Sequence, residues 1–294
     1  MSIEITFFTP TYNRAELLPK LYESLCRQTR KNFQWLIIDD GSTDHTEDIV
    51  KSFKPVGFTI DYIKKKNGGK HTAMNYSHPY IKGKVVGIVD SDDYLKDDAA
   101  ETIESDFCRF KDQSDISSIS YIIISPDGKN LSRNPPADYY IADGISYRHN
   151  KRIRGDQFLV IKTTAFVQFK LPVFPGERFM SEGPLYRFLA LHSKTVYRSK
   201  AIYVGDYLEN GLTKAGRHMR MKNPYGMIEN SNTCFVPGMC LREKCKKAIL
   251  FDLYAMCTKE GLWHHILHNC KAPGLCVLMS VLGIPMYYVW HYYY

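Results

Sequence analysis

Asp90-Ser91-Asp92-Asp93 places three carboxylates within four residues. Left alone, such a cluster repels itself at neutral pH, because each charge raises its neighbours' affinity for protons. A divalent cation relieves the repulsion. Hard oxygen ligands favour Mg2+ or Mn2+ over zinc. These ions take one or two carboxylates and complete their shell with phosphates and water. An acidic turn that merely caps the next helix accounts for the same residues, so this motif does not decide alone.

Two more polar clusters precede it: Thr9-Pro10-Thr11-Tyr12-Asn13-Arg14 and Asp39-Asp40-Gly41-Ser42-Thr43-Asp44. All three follow apolar runs. Residues 3–8, 33–38, 58–63 and 84–89 read as buried strands. Helical patterns lie between them. Leu17, Leu18, Leu21 and Leu25 share one face behind an Asn13 cap. Ser42, Thr43 and Asp44 offer caps for a second helix to about residue 53. Asn67-Gly68-Gly69 turns into a third near 71–78. Strands alternating with helices imply right-handed crossovers and a mainly parallel sheet. Ligands of such sheets bind outside the carboxyl ends of the strands, so the three clusters should converge on one crevice. Asp40, closing the second strand, can then hydrogen-bond a base or ribose. No GxGxxG follows the first strand, and Asn67-Gly68-Gly69-Lys70 lacks the P-loop spacing, which speaks against dehydrogenases and P-loop enzymes.

Composition sets the outer bounds. The 294 residues allow one large α/β domain or two small ones, and 44% hydrophobic with 24% charged residues argues against disorder. The formal net charge of +8 suits an acidic partner without choosing one. The eight cysteines include no CxxC pair, which suggests free thiols. The N-terminal MSIEITFF has no basic region leading into a long apolar core, so no secretory signal is expected.

Beyond residue 100 the pattern is less regular. Residues 119–125 and 158–162 read as strands, and 184–191 as a helix with Pro in its first turn. The Pro-, Asn- and Tyr-rich stretch 130–150 reads as a mobile loop. Lys214, Arg217, His218, Arg220 and Lys222 form a basic stretch. Residues 272–290 carry no charge and are long enough to reach across a bilayer. Pro273 and Pro285 argue against one straight helix, and the flanking tyrosines and Trp290 suit a membrane interface. A buried core helix, monotopic insertion and a short hairpin all stay open.

Residues 9–14 (TPTYNR), 39–44 (DDGSTD), 67–75 (NGGKHTAMN) and 89–93 (VDSDD) resemble, in order and spacing, the successive signatures of family 2 glycosyltransferases with the GT-A fold. The resemblance covers about the first hundred residues. Residues 179–191 (FMSEGPLYRFLAL) and 207–213 (YLENGLT) resemble segments of bacterial members that build surface polysaccharides. It implies a GT-A, Rossmann-like α/β domain over 1–210, with a nucleotide-binding half (1–98) and an acceptor half (99–210). A helical extension over 211–294 ends in a membrane-associating tail.

The implied function is inverting transfer of a sugar from a nucleotide-sugar, usually a UDP-sugar, to a saccharide or polyprenyl-linked acceptor. Mg2+ or Mn2+ assists, the cytoplasmic face of the membrane is the place, and nucleic acid is not a partner. Thr9, Tyr12 and Asp40 then line the base pocket, joined in the donor site by Pro10, Asn13 and Ser91. Arg14 and Lys70 lie near the nucleotide. Asp90 approaches the ribose or metal, and Asp92 holds the metal. Glu182 is the base, with Glu177 as the alternative, because Ser181-Glu182-Gly183 departs from the family's Glu-Asp. Arg217, His218 and Arg220 form a loop over the donor diphosphate or a lipid-linked pyrophosphate, or a solvated basic surface.

Chemistry alone supports one base and one metal: an attacking hydroxyl must lose its proton, and the leaving diphosphate needs its charge neutralised. A Glu at a helix start is also favoured by the helix dipole without any catalytic role. A nucleotidyltransferase would show a Gly-rich phosphate loop after the first strand. A nucleic-acid-binding module is suggested by the charge alone, and the acidic turn would repel phosphates.

Overall fold

The computed structural model describes residues 3–153, 155–205 and 212–293, with the side chains of 212–215 left out. The chain forms two compact units. The first comprises residues 1–143, 153–170 and 189–206, the second 144–152, 171–188 and 207–294. The division is interleaved, where the sequence suggested one boundary near 210.

In the first unit, strand β1 (Ile5–Thr11) leads to helix α1 (Leu18–Cys26), β2 (Phe33–Asp39), α2 (Thr46–Ser52) and β3 (Thr59–Lys64). Then come α3 (Lys70–Ser77), β4 (Val85–Ile88), β5 (Tyr94–Leu95), α4 (Ala99–Phe110) and β6 (Ile116–Ile124). Strands β7 (Tyr140–Ala142) and β8 (Gln157–Lys162), helix α5 (Thr163–Phe166), helix α6 (Gly183–His192) and β9 (Lys194–Val204) follow, α6 starting within the second unit. The strands join in one sheet of order β3-β2-β1-β4-β8-β6-β9-β5, with β7 added on β9.

The parallel pattern holds from β3 to β4. Past β4 the sheet is mixed: β8 runs antiparallel to both β4 and β6, while β6 and β9 are parallel. Side chains alternate faces along a strand. Ile5 and Phe7 of β1, with Phe33, Trp35 and Ile37 of β2, share one core with Leu18, Leu21 and Leu25 of α1 and with Ile103, Phe107 and Phe110 of α4.

Two expectations change here. Asn13 does not cap α1, whose first residue follows Leu17 with no side-chain cap. Asn13 instead adopts a left-handed backbone (φ 52), and its Oδ1 accepts the Thr43 N–H at 2.8 Å. The register pairs Thr11 with Asp39, so the neighbouring loop is the nearer partner. Nor are residues 130–150 a loop throughout. Tyr140–Ala142 pairs antiparallel with β9, and Ile145–Asn150 forms one wide helical turn in the second unit. Buried Arg198 holds the approach to β7: it bonds Asp106 and Asp138, and its guanidinium lies 3.8 Å from the Tyr139 ring centroid. Such long-range anchors leave no mark in local composition.

The second unit is helical: α7 (Leu212–Met221), α8 (Pro224–Asn232), α9 (Leu241–Ala255), α10 (Gly261–His268) and α11 (Pro273–Tyr293). Its core gathers Met227, Ile228, Phe251, Leu253, Tyr254, Leu262, Ile266 and Cys276. Against the expectation from its prolines, α11 is one continuous 21-residue helix. Pro273 occupies its first position, where no N–H is needed. Pro285 is exposed and lacks the N–H that would bond the carbonyl one turn earlier, at the exposed residue Val281. Cys276, Ser280 and Gly283 form its buried seam. A Cβ at Gly283 would stand 2.6 Å from the Cβ of Asp252 on α9, so glycine permits the close approach. The opposite face exposes Val277, Leu278, Val281, Leu282, Tyr288 and Val289.

Asp252 is fully buried, with the Cys276 thiol of α11 as its polar neighbour. Burial pushes its pKa up to about 8 from an ordinary 3.8. The folded chain therefore keeps this proton while the unfolded chain releases it. The stability is fully present below about pH 4 and is lost as pH rises through about 8. Asp252→Asn removes the ionisation and keeps the shape. The melting temperature of the wild type should fall from pH 5 to 8 more steeply than that of the variant; equal slopes in a calorimetric pH series would refute this.

Candidate donor-binding site at the strand ends

The parallel register brings the ends of β1, β2 and β4 to one edge of the sheet: Thr11 pairs with Asp39, and the Val89 N–H reaches the Phe8 carbonyl at 2.8 Å. Acidic residues crowd this edge, and most find donors. Asp39 accepts the Ser42 N–H at 2.7 Å and the Tyr62 hydroxyl. Asp44 accepts from the Thr46 N–H at 3.0 Å and from the Ala15 N–H at 3.2 Å. The many hydrogen bonds to Asp44 hold its carboxyl below the usual range against the opposing effect of burial.

Asp40 is buried, and both its oxygens are engaged. Lys65 and the Gly68 N–H (3.0 Å) bond Oδ1, and the Gly69 N–H (2.6 Å) bonds Oδ2. The carboxylate thus ties down the 67–69 loop. Gly41 makes room for that loop: it lies at φ 86, and a Cβ there would come 2.8 Å from the Asn67 nitrogen. The loop delivers Lys70 at the start of α3, and its Nζ lies 2.6 Å from Asp90 Oδ1.

Asp92 differs from the other acids. Among the described residues it makes no ion pair. Burial raises its carboxyl pKa, Asp90 raises it further, and Arg14 and Lys70 oppose both. The structure therefore brings Arg14, Lys70, Asp90 and Asp92 into one electrostatic group. Two carboxylates, one of them desolvated beside the other, are hard-oxygen groups of the kind that Mg2+ or Mn2+ takes alongside phosphate and water; among the described residues no three or more His, Cys, Asp or Glu side chains are grouped to hold a metal ion. Asp93 lies apart from this pair: its Oδ2 accepts the Tyr203 hydroxyl at 2.6 Å.

The remaining sequence candidates divide. Tyr12 is 44% exposed, Asn13 is exposed and Arg14 half-buried. Pro10 and Ser91 are buried at the same strand ends. Thr9 faces inward. It is fully buried, and its hydroxyl accepts the Trp35 indole N–H at 3.0 Å, because strand alternation turns it into the core shared with α1. Lys65 and Tyr203 escaped the sequence reading: one lies in a plain lysine run, the other in a distant strand.

In the second unit, Glu182 is half-buried immediately before α6, and its carbonyl accepts the Tyr186 N–H at 3.2 Å. Glu177 has a different engagement. It accepts the N–H groups of Tyr225 (2.7 Å) and Gly226 (2.8 Å), which the first turn of α8 would otherwise leave open. Burial raises its carboxyl pKa and these two bonds oppose the rise. Arg217, His218 and Arg220 lie in the helical turns that follow a kink at Gly216 within α7, where the sequence suggested a loop. The Arg217 guanidinium sits 4.8 Å from the Trp290 ring centroid, and His218 and Arg220 are exposed. The side chain of Lys214 and most of residues 207–213 lie outside the described residues.

The model of Glycosyl transferase family 2 matches residues 6–171. The glycosyltransferase GlyG of Streptococcus pneumoniae is 27% identical over 219 residues, which cover 69% of this chain and 71% of GlyG. The glycosyltransferase GlyA of the same organism is 35% identical over 118 residues, covering 40% of this chain and only 17% of GlyA. Among solved structures, S. aureus TarS 1–349 in complex with UDP-GlcNAc superposes with a TM-score of 0.60 at 18% identity, over 94% of this chain and 79% of that one. The mannosyltransferase PcManGT from Pyrobaculum calidifontis, in complex with GDP-Man and Mn2+, gives 0.56 at 14% identity, over 100% and 83%. At these identities the structures establish the fold.

Proposed function

The chain belongs to glycosyl transferase family 2, and we propose that it transfers a sugar, with inversion, from a UDP-sugar to a saccharide or polyprenyl-linked acceptor of a surface polysaccharide. The observation that carries this reading is the Arg14, Lys70, Asp90 and Asp92 group at the ends of β1 and β4. Tyr12 offers an exposed aromatic face for a base beside Pro10, and Asp40 holds the glycine loop that presents Lys70. Lys70 and Arg14 supply positive charge for the donor diphosphate. Asp92 and Asp90 are the residues that would hold Mg2+ or Mn2+, whose charge neutralises the leaving diphosphate when bound. The uridine nucleotide is supported by the TarS complex and the divalent cation by the PcManGT complex, each a property of that protein.

Glu182 is assigned as the base that takes the acceptor hydroxyl's proton. The engagement of Glu177 at α8 supports this choice, because both of its carboxylate oxygens are already taken by backbone N–H groups. We further assign the exposed face of α11 to peripheral contact with the cytoplasmic membrane surface. Its 21 residues have a mean hydropathy of 1.5 over the most apolar window, of which only 17% is buried. Trp263 and Leu267 of α10 are exposed as well, and Trp suits the headgroup level.

Calorimetry with UDP and Mn2+ tests the donor site. Asp92→Asn should keep the fold and lose metal-dependent binding; binding equal to wild type would remove Asp92 from the site. Glu182→Gln should lower turnover by roughly 10²–10⁴-fold at nearly unchanged UDP affinity. Glu177→Gln should instead lose about 1–3 kcal/mol of stability through the weakened cap. The reverse pattern would transfer the base role to Glu177. For the membrane, the buried seam of α11 makes deletion of the helix a poor test, since it would uncover the core. Replacing Leu278, Val281 and Leu282 together by Gln leaves that seam intact. The wild type should sediment with anionic phospholipid vesicles and the triple variant should stay in solution; a wild type that stays in solution would end the membrane assignment.

A further inference from the structure

Tyr203 lies on β9, 110 residues beyond Asp93, yet its hydroxyl meets the acidic turn twice. It donates to Asp93 Oδ2 at 2.6 Å and accepts the Asp90 N–H at 3.1 Å. The turn closes on itself through the Asp93 N–H and the Asp90 carbonyl, 3.1 Å apart. Directly after it, Leu95 of β5 pairs with Tyr203 itself. The tyrosine is 3% exposed, and its ring packs against Phe158 with centroids 4.8 Å apart. Gly205, two residues on, leaves space beside the Asp93 carboxylate: a Cβ there would lie 3.3 Å from Oδ1. One rigid side chain, held by the core, thus grips the first and last residues of the turn.

A turn with three adjacent acids has competing arrangements, because any two of its carboxylates can face a cation. Engaging Asp93 from behind removes it from that competition and fixes the backbone from which Asp90 and Asp92 project. We propose that Tyr203 is a positioning residue for the cation and diphosphate site, and that Asp93 is its anchor rather than a metal ligand. This inference rests on the metal-dependent donor site proposed above. It adds a residue that touches neither nucleotide nor metal, and it gives the third acid of the turn a separate task.

The test measures Mn2+ affinity in the presence of UDP by calorimetry, alongside melting temperatures in EDTA. Tyr203→Phe keeps the ring and removes both hydrogen bonds. Asp93→Ala removes one of them from the other side. Both should weaken Mn2+ binding by roughly 10–100-fold, the usual effect of losing a group that orients a metal ligand. Asp93→Asn retains an oxygen that accepts the Tyr203 hydroxyl and should stay within about threefold of wild type. UDP affinity without metal should be the same in all four proteins. Wild-type Mn2+ affinity in Tyr203→Phe and Asp93→Ala, with only a lowered melting temperature in EDTA, would overturn the proposal and leave Tyr203 a packing residue. Loss of Mn2+ binding in Asp93→Asn equal to that in Asp93→Ala would also overturn it, since Asp93 would then be a ligand. If Tyr203→Phe does not fold, the Asp93 pair decides between these outcomes. A wild type that binds no Mn2+ with UDP would refute the donor-site reading itself, a result distinct from either.

Discussion

Carboxylates crowd the carboxyl edge of β1, β2 and β4, and the way each is satisfied organises the first unit. A buried, unpaired carboxylate is costly, so each acid at this edge either finds a donor or shifts its proton affinity. Asp39 bonds the turn after β2 and Tyr62. Asp44 bonds the start of α2 and the chain after β1. Asp40 bonds the loop before α3. Asp93 bonds β9 through Tyr203. Each of these bonds also ties one strand-end loop to another segment, so satisfying charge and fixing the loops are the same event.

What remains after this pairing is a small polar group with its own balance. Asp90 has Lys70, and Asp92 is left with burial and a like charge as the main influences on it. Two negative groups and two positive ones, Arg14 and Lys70, suit the proposed donor, an anionic ligand accompanied by a cation. A nucleoside diphosphate with a divalent metal has that charge pattern.

The second unit follows a different rule. Its helices are held by apolar packing and by closed helix ends, as where Glu177 caps α8 while the Asn223 side chain accepts the N–H groups of Arg178 and Phe179. Helix α11 joins this core along a narrow seam of small residues and leaves a broad apolar face uncovered. In water that exposure is unfavourable by the hydrophobic effect, which makes an apolar surface partner the natural complement of this face. The buried Asp252 sits behind the same seam with its carboxyl pKa pushed up by burial, so the attachment of α11 carries a polar group that apolar packing alone would not include.

The sequence by itself determined much of the first hundred residues. Period and punctuation located β1 to β4 and the helices between them, because apolar runs closed by polar turns are local signals. The same clusters then marked the ligand edge, since parallel strands must present their carboxyl ends together. The sequence also marked the carboxylate cluster at Asp90 to Asp93, and through the family resemblance it named Asp92, Lys70 and Arg14 as site candidates. It could not decide between Glu182 and Glu177. The proposed choice of Glu182 draws on α8, whose first N–H groups occupy Glu177 from nearly fifty residues away. Nor could it see that Thr9 serves Trp35, that Asp40 serves its own loop, or that a strand and a helical turn lie within 130–150. Above all it gave no sign of Tyr203, which reaches Asp90 and Asp93 only because β9 pairs with β5 at the far side of the sheet. Local patterns record which residues prefer a strand or a turn. Which distant donor satisfies a given carboxylate is settled only when the strands have taken their places, because that choice is made by register and burial together.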